Sequence, residues 1–208
     1  MSARSATAAP TPSMFAPPEE GRRAEILDAA LAVFSEKGYD GGTMRDIARR
    51  VGVTEPALYR HFAGKEELFL TLLEAIAGRM RGDMMALLDR VDPADVPSSV
   101  ERIFADRRRA VPAAAPALRM ILVGVAHNAA FLDAYRDTLA IPMRAKLTET
   151  VARVDAHYGI VRPAEETAAR VRTLFSLAVG SIATTVVLGD EPESVTAEAV
   201  MLLMGWRG

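Results

Sequence analysis

Apolar residues recur along this chain at spacings of three and four, the period of an amphipathic helix. The first stripe predicts a helix ending at a Gly38 C-cap and consists of Ile26, Leu27, Ala30, Val33 and Phe34. A convincing alternating strand pattern and an internal repeat are both missing from the sequence. The pattern therefore predicts an all-α fold of about nine helices.

The later part of the chain continues this helical pattern. Residues 91–97 predict a linker, and Pro142 predicts a kink. Residues 163–189 predict one long helix that begins with a proline and two acids, and residues 193–206 predict the last helix. We expect 1–18 to be a disordered tail, 19–80 a first domain with a connecting helix, and 81–208 a second helical domain.

The longest uncharged stretch lies between Arg172 and Asp190 and has 17 residues, several of them polar. A membrane-spanning helix needs about 20 mostly apolar residues, so we expect a buried helix and no membrane partner. The first eighteen residues are rich in Pro and small residues, without the apolar run of a secretory signal. We expect a cytoplasmic protein.

Composition narrows the range of chemistry. Cysteine is absent, which excludes disulfides, thiolate catalysis and cysteine-ligated zinc. The chain has a net charge of -2, yet residues 41–65 carry an excess of three positive charges. A basic segment on a mildly acidic body is typical of a surface that faces phosphate groups.

Residues 43–62, TMRDIARRVGVTEPALYRHF, have the spacing of a helix-turn-helix motif. Small Ala48 lies where two helices would cross, and Gly52 follows where a left-handed turn residue is needed. Val53 and Leu58 would hold the second helix against the first. This arrangement makes the N-terminal side chains of the second helix project from the body, as entry into a DNA major groove requires.

Residues 22–69 resemble the TetR family of transcriptional regulators. Four spaced elements carry the resemblance, namely FSEKGYDGGT, the IA..VGV turn, ALYRHF and GKEELF. The resemblance implies a DNA-binding domain followed by a helical body that binds a small effector and dimerises. A double-stranded DNA operator, a small-molecule effector and a second copy of the chain are therefore the expected partners.

The resemblance also implies which residues contact DNA. Tyr59, His61, Lys65 and Thr43 are expected at phosphates, while the opening residues of the recognition helix are expected at base edges. The full expected set is Thr43, Arg45, Thr54, Glu55, Pro56, Ala57, Tyr59, Arg60, His61 and Lys65. Phe62 is interpreted as a core residue, and Arg49 and Arg50 as a solvated face.

In the body, the last two helices are the pair that the resemblance implies for dimerisation. The expected interface residues are Val171, Leu174, Phe175, Ala178, Ile182, Leu202, Leu203 and Trp206. Ordinary packing within one chain is the alternative for all of them. Polar residues inside apolar helices are the candidates for effector binding, namely Arg119, His127, Asn128, Tyr135 and Ser176.

The sequence offers no constellation for catalysis. Its three histidines lack helical metal-ligand spacing, and neither a nucleophile elbow nor a phosphate-cradling loop occurs. We therefore expect no catalytic residues, no metal site and no cofactor. The favoured function is a repressor released from a palindromic operator by an effector. An activator of the same fold, or a helical binding or catalytic protein that does not use its motif, stays open.

Overall fold

The computed structural model describes residues 21–189 and 196–206, without the side chains of Ala113 and His127. Within these residues the chain forms nine α-helices and one π-helical segment, and no strand. The predicted all-α fold is confirmed. The chain divides into two compact units, the first ending at Leu72 and the second beginning at Leu73. The predicted tail over 1–18 lies outside the described residues.

The first unit contains helices α1 (Gly21–Gly41), α2 (Met44–Val51) and α3 (Glu55–Tyr59). Helix α4 (Lys65–Asp89) begins in this unit and continues into the second. Gly38 has φ 72°, so the chain leaves helical geometry within α1 where the sequence predicts a C-cap. Gly52 ends α2 with φ 80°, in the left-handed region that favours glycine.

Aromatic rings pack against one another in the core of the first unit. Phe34 and Phe69 are buried and meet edge to face, with ring centroids 5.4 Å apart. Tyr39 lies edge-on to Phe69 at 4.7 Å. Buried aliphatic side chains from each of the first three helices, among them Ile26, Ile47 and Leu58, complete this core. The predicted inward-facing stripe of α1 is therefore confirmed.

The second unit continues from α4 through α5 (Val96–His127), α6 (Ala129–Tyr135), a π-helical segment (Arg136–Ala140), α7 (Ile141–His157), α8 (Ala164–Leu188) and α9 (Ala197–Met204). The predicted linker over 91–97 is observed over 90–95. Helix α9 begins at Ala197 with Thr196 as its N-cap, and the predicted earlier start at Glu193 lies outside the described residues.

Proline residues bend the second unit. Helix α5 contains Pro112 and Pro116, and its two halves diverge by 83°. Pro142 lies in the first turn of α7, directly after the π-helical segment. The irregularity predicted at Pro142 is therefore observed as this π-helical segment ahead of the proline. Because Pro142 has no N–H to offer the Thr138 carbonyl, that oxygen accepts from the Arg81 guanidinium at 2.7 Å.

The sequence predicted that α8 would be a buried helix, and for the single chain this prediction is wrong. Only Val171 and Val186 of α8 are buried, and 11% of its most apolar 18-residue window lies inside the structure. By length and composition this helix could cross a membrane, and so could the bent α5 if its halves formed one span. An exposed apolar helix of this kind is a candidate interaction surface.

A buried polar network fastens the end of α9 to the α7–α8 connection. The Arg162 guanidinium donates to both Asp155 carboxylate oxygens, at 2.7 Å and 3.0 Å. The Trp206 indole Nε1 donates to the same carboxylate at 2.6 Å, and Arg162 also donates to the Met204 carbonyl. The hydrogen bond from Arg162 to Asp155 is the main reason that the pKa of the guanidinium is raised above its ordinary value.

Candidate nucleic-acid interface

The α2–turn–α3 segment is held together from inside. Met44, Ile47 and Ala48 are buried on α2, and Leu58 is fully buried on α3. The Ala48 carbonyl accepts from two turn amides, those of Gly52 at 3.0 Å and Val53 at 2.9 Å. These contacts fix α3 against α2, so the predicted helix-turn-helix geometry is present.

The opposite face of this segment is open to solvent. Tyr59 is 47% exposed, although tyrosine on a helix is commonly a core residue. Of the ten predicted DNA contacts, seven are exposed, namely Thr43, Arg45, Thr54, Pro56, Tyr59, Arg60 and His61. Glu55, Ala57 and Lys65 are half-buried. All ten predicted DNA-contact residues are therefore at least partly exposed to solvent.

Phe62 is 1% exposed, as predicted for a core residue. The Arg23 guanidinium of α1 lies over its ring, with the guanidinium carbon 4.3 Å from the centroid. The same guanidinium donates to the His61 backbone carbonyl at 3.1 Å. Arg23 thus holds the segment that follows α3, a role that the sequence did not reveal.

Lys65, the first residue of α4, contacts Tyr39 and Asp40, and these contacts were also not predicted. Its Nζ lies 4.5 Å from the centroid of the Tyr39 ring and donates to the Asp40 carbonyl at 3.2 Å. Burial is the main reason that the pKa of Tyr39 is raised, with Glu66 and Asp40 adding to the effect. The sequence contains no local signal for this contact, because Tyr39 and Lys65 are 26 positions apart.

Asp46 ties α2 to its neighbours. Its carboxylate accepts from the Thr43 hydroxyl at 2.8 Å and the Thr43 amide at 3.3 Å, while the Asp46 amide donates back to that hydroxyl. It also pairs with Lys37 and Arg49, each at 2.8 Å. Hydrogen bonds from Lys37 and then Thr43 lower the pKa of Asp46 from 3.8 to about 2. The Thr43 hydroxyl therefore caps α2 in this structure.

Two further ion pairs lie on the motif. Arg50 pairs with Glu36 at 2.7 Å, and both Arg49 and Arg50 are exposed, as predicted for a solvated face. Arg45 Nε lies 3.4 Å from a Glu55 carboxylate oxygen and thereby links α2 to α3. Thr54 occupies the N-cap position of α3 as predicted, but its side chain makes no capping hydrogen bond.

The predicted effector residues occupy different local settings. The Asn128 side chain caps α6 by accepting from the Ala130 amide at 2.8 Å, and the Arg119 guanidinium donates to the Val186 carbonyl at 2.9 Å. Tyr135 packs against the core of the second unit, where burial raises its pKa. Ser176 is exposed, and the side chain of His127 lies outside the described part of the chain.

A groove of about 540 Å³ lies between the first half of α5 and the start of α9. Arg102, Phe104 and Arg108 line one side, and Thr196 lines the other. Of the predicted effector residues, the structure describes the side chains of Arg119, Asn128, Tyr135 and Ser176, and none of these lines this groove. The polar residues chosen from the sequence as effector contacts therefore do not mark it.

The predicted dimer residues separate into two groups. Val171 and Trp206 are buried in the chain's own core, as the alternative of internal packing requires. The others are half-buried or exposed, namely Leu174, Phe175, Ala178, Ile182, Leu202 and Leu203. Leu202 is 82% exposed, and exposed Leu177, Val187 and Leu188 on α8 were not predicted.

Comparison with known proteins identifies the first unit. Residues 26–72 match the family of bacterial regulatory proteins described as the tetR family. The transcriptional activator FasR of Mycolicibacterium smegmatis is 46% identical over 57 residues, which are 27% of this chain and 26% of FasR. The transcriptional repressor AcnR of Corynebacterium diphtheriae is 46% identical over 59 residues, 28% of this chain and 31% of AcnR.

The similarity in sequence thus spans less than a third of these curated relatives. The similarity in fold extends much further. The regulator FadR from Bacillus subtilis, solved in complex with stearoyl-CoA, covers 88% of this chain and 98% of its own, with a TM-score of 0.62 and 18% identity. At that identity the match concerns the fold alone.

The first unit is a helix-turn-helix domain of the type found in bacterial transcription regulators, followed by a helical C-terminal domain. Residues 26–72 of this first unit match the TetR family, as the resemblance of residues 22–69 predicted.

Proposed function

We propose that this protein is a dimeric transcriptional regulator that binds double-stranded DNA through α2 and α3 and responds to a small molecule bound by its helical body. One observation carries the proposal. Leu58 anchors α3 in the core while Tyr59, Arg60 and His61, the next three residues, are all exposed. A helix anchored on one side with hydroxyl, guanidinium and imidazole groups on the other suits phosphate contact.

The distribution of charge supports the same reading. Lys65 and Arg60 offer cations beside α3, and the acids of the motif are already engaged by Lys37, Arg49 and Arg45. Carboxylates paired in this way repel a phosphate backbone less than free ones would. Because phosphate contacts supply much of the affinity for DNA, binding should weaken steeply with salt.

The direction of regulation is proposed as repression. The AcnR relative is a repressor, whereas FasR is an activator of comparable similarity. Activation therefore remains the second candidate. A promoter fusion measured with and without the regulator gene distinguishes them, because loss of a repressor raises expression and loss of an activator lowers it.

The DNA-binding proposal is tested by incubating the purified full-length protein with fragmented genomic DNA of its source at near-physiological salt. We expect recovery of a short palindrome, since a symmetric dimer presents two recognition helices to two half-sites. Tyr59→Phe and Lys65→Ala should each weaken binding across all sequences, because they remove phosphate contacts. Recovery of no sequence above background, with and without added cell metabolites, would contradict the proposal.

A matched variant controls for the loss of one cation. Arg136→Ala removes an exposed arginine from the second unit, where it pairs with Asp133 at 3.2 Å. It should leave operator affinity unchanged. Circular dichroism of every variant establishes that the fold is retained.

Dimerisation is proposed to use α8 and α9. Their exposed apolar side chains include Leu177, Val187 and Leu188 of α8 and Leu202 of α9, and these residues define the apolar surface of the proposal. Polar Arg172, Ser176 and Thr184 interrupt α8. We propose that a second copy of the chain covers this surface, because an interrupted apolar helix suits a protein partner better than lipid.

The oligomeric state tests this proposal directly. Light scattering after gel filtration should give the mass of a dimer at micromolar protein, and Leu202→Glu should shift it toward the monomer. Val161→Glu provides the control, because Val161 is 96% exposed in the connection before α8. A wild-type monomer at these concentrations, or equal effects of both variants, would count against the α8–α9 interface.

The effector is proposed to bind the helical body. FadR, whose fold this chain shares, was solved with stearoyl-CoA, so that compound is a reasonable first probe. An effector should raise the melting temperature of the protein and lower its affinity for the operator, since a ligand shifts an equilibrium only by binding two states differently. A compound that stabilises the protein but leaves operator affinity unchanged is not the effector.

A further inference from the structure

The ion pair between Arg45 and Glu55 joins the two helices of the helix-turn-helix on its solvent side. Arg45 belongs to α2 and has an 83% exposed side chain, while Glu55 is the first residue of α3 and has a 35% exposed side chain. The two residues are separated by the turn at Gly52. Their Nε–Oε2 distance of 3.4 Å places a guanidinium beside the N-terminus of the recognition helix.

The pair differs from the ion pairs that Asp46 forms. Asp46 serves the fold, because Thr43, Lys37 and Arg49 all donate to it and the capping box of α2 depends on it. Glu55 caps no helix within the described structure, and its ion-pair partner is the highly exposed Arg45. Such an exposed pair contributes little to stability, so both side chains are available for a role at a DNA surface.

The contact with Glu55 uses Nε of Arg45, and the side chain as a whole stays 83% exposed. Glu55 engages Nε of Arg45, and the two terminal amino groups, Nη1 and Nη2, are the donors that contact guanine O6 and N7 together. A free carboxylate at this place would repel phosphates, whereas one that is paired with an arginine is largely neutralised. Glu55 therefore both compensates and orients the arginine.

We propose that Arg45 and Glu55 act as one unit that reads a G·C base pair in each half-site. Arg45 contacts the guanine, and Glu55 is the positioning residue that holds the guanidinium in the required plane. This inference rests on the proposed function, because it requires α3 to lie in the major groove. It assigns to Glu55 a different task from direct contact with a cytosine amino group.

The test is a binding selection with a library in which every position of the recovered operator is randomised. Wild-type protein should show one G·C position per half-site where a wrong base weakens binding roughly 5- to 150-fold. Arg45→Lys keeps the charge but loses the two-pronged donor, and should abolish the preference at that position only. Glu55→Gln keeps the size and loses the charge, and should reduce the same preference by a smaller factor.

The Arg50–Glu36 pair supplies the matched control. It also links two helices of the first unit through an exposed arginine, at 2.7 Å. Arg50→Lys and Glu36→Gln make the same chemical changes and should leave the base preferences at every position unaltered. Any change in affinity that they cause should apply equally to all sequences.

The outcomes separate this inference from the proposed function. If the wild type selects no sequence, DNA binding itself is refuted and the inference falls with it. If the wild type selects an operator but neither Arg45→Lys nor Glu55→Gln alters any position, the pair is overturned while the regulator stands. If Glu55→Gln alters a position that Arg45→Lys leaves intact, Glu55 reads the base alone and the assignment of roles is wrong.

Discussion

The two compact units use their charged side chains in opposite ways. In the first unit the acid at the centre of the motif, Asp46, is reached from the surface by Lys37 and Arg49. In the second unit Asp155 and Arg162 form a pair whose side chains are 8% and 7% exposed, and the Trp206 indole completes it. One network surrounds the proposed DNA-binding surface, and the other joins the segment after α9 to the α7–α8 connection.

This contrast has a practical consequence for mutational analysis. Exposed ion pairs contribute roughly 0–1 kcal/mol, whereas removing one member of a buried pair leaves an uncompensated charge and costs several times more. Substitutions on the motif should therefore change DNA binding with little loss of folding. Substitutions in the buried network should do the reverse.

The largest effect is expected from Asp155→Ala. It leaves the buried Arg162 guanidinium with only the more distant Glu166 carboxylate, at 3.6 Å, as an ion-pair partner within the described residues, and it removes the acceptor of the Trp206 indole, so stability should fall by about 3–5 kcal/mol. Urea denaturation measures this loss, and hydrogen exchange should locate it in the last helices. Asp133→Ala, in an exposed pair with Arg136, is the control and should change stability far less. Similar losses for both variants would remove the contrast between the units.

A core effect of intermediate size is expected in the first unit from Gly42→Ala. A Cβ at Gly42 would lie 2.8 Å from Cδ1 of Phe34, whose ring is buried against Phe69. The ring has little room to move, so the variant should lose about 1–3 kcal/mol. Gly41→Ala is the adjacent control, because its Cβ would meet Lys37 Cβ at an ordinary 3.5 Å. If Gly42→Ala is as stable as Gly41→Ala, the aromatic core is looser than the structure indicates.

Acid should act on the first unit through Asp46. The pKa of its carboxyl is lowered from 3.8 to about 2 in the folded state, so the stability linked to it is fully present above pH 3.8. That contribution is lost as pH falls toward 2. Hydrogen exchange of the α2 amides between pH 2 and 5 should show the transition in the wild type and not in Asp46→Asn. The same transition in Asp46→Asn would assign it to another group.

Much of the first unit was predictable because its signals are local. Thr43 caps a helix through a residue three positions later, and Gly38 and Gly52 supply conformations that other residues avoid. Leu58 and Phe62 follow from helical spacing. The contact between the Tyr39 ring and Lys65 was not predicted, because the two residues are distant in sequence and meet only in the folded unit.

The body was less predictable because its features depend on tertiary structure. Asn128 and Arg119 stood out as polar residues in apolar helices, yet one caps α6 and the other satisfies a carbonyl in the last turn of α8. Helix ends create a need for polar partners that resembles a binding site in sequence. An apolar helix such as α8 likewise has the same pattern whether its own chain or a second copy covers it.

The smallest effect is expected at the edge of the proposed DNA-binding surface, where the Tyr39 ring contacts Lys65. Tyr39→Leu removes the aromatic face that lies 4.5 Å from the lysine Nζ, whereas Tyr39→Phe keeps it. Since an exposed cation–π contact contributes about 0.5–1 kcal/mol, the leucine variant should bind the operator roughly 2- to 5-fold more weakly than the phenylalanine variant. Fluorescence anisotropy at fixed salt measures the ratio, and Lys65→Ala in both backgrounds tests the mechanism. When the lysine is absent, the two Tyr39 variants should bind the operator equally, because the ring then has no cation to hold. A ratio that persists without Lys65 would mean that Tyr39 acts through the packing of Phe34 and Phe69, and the first unit would then resemble the second in controlling its surface from the core.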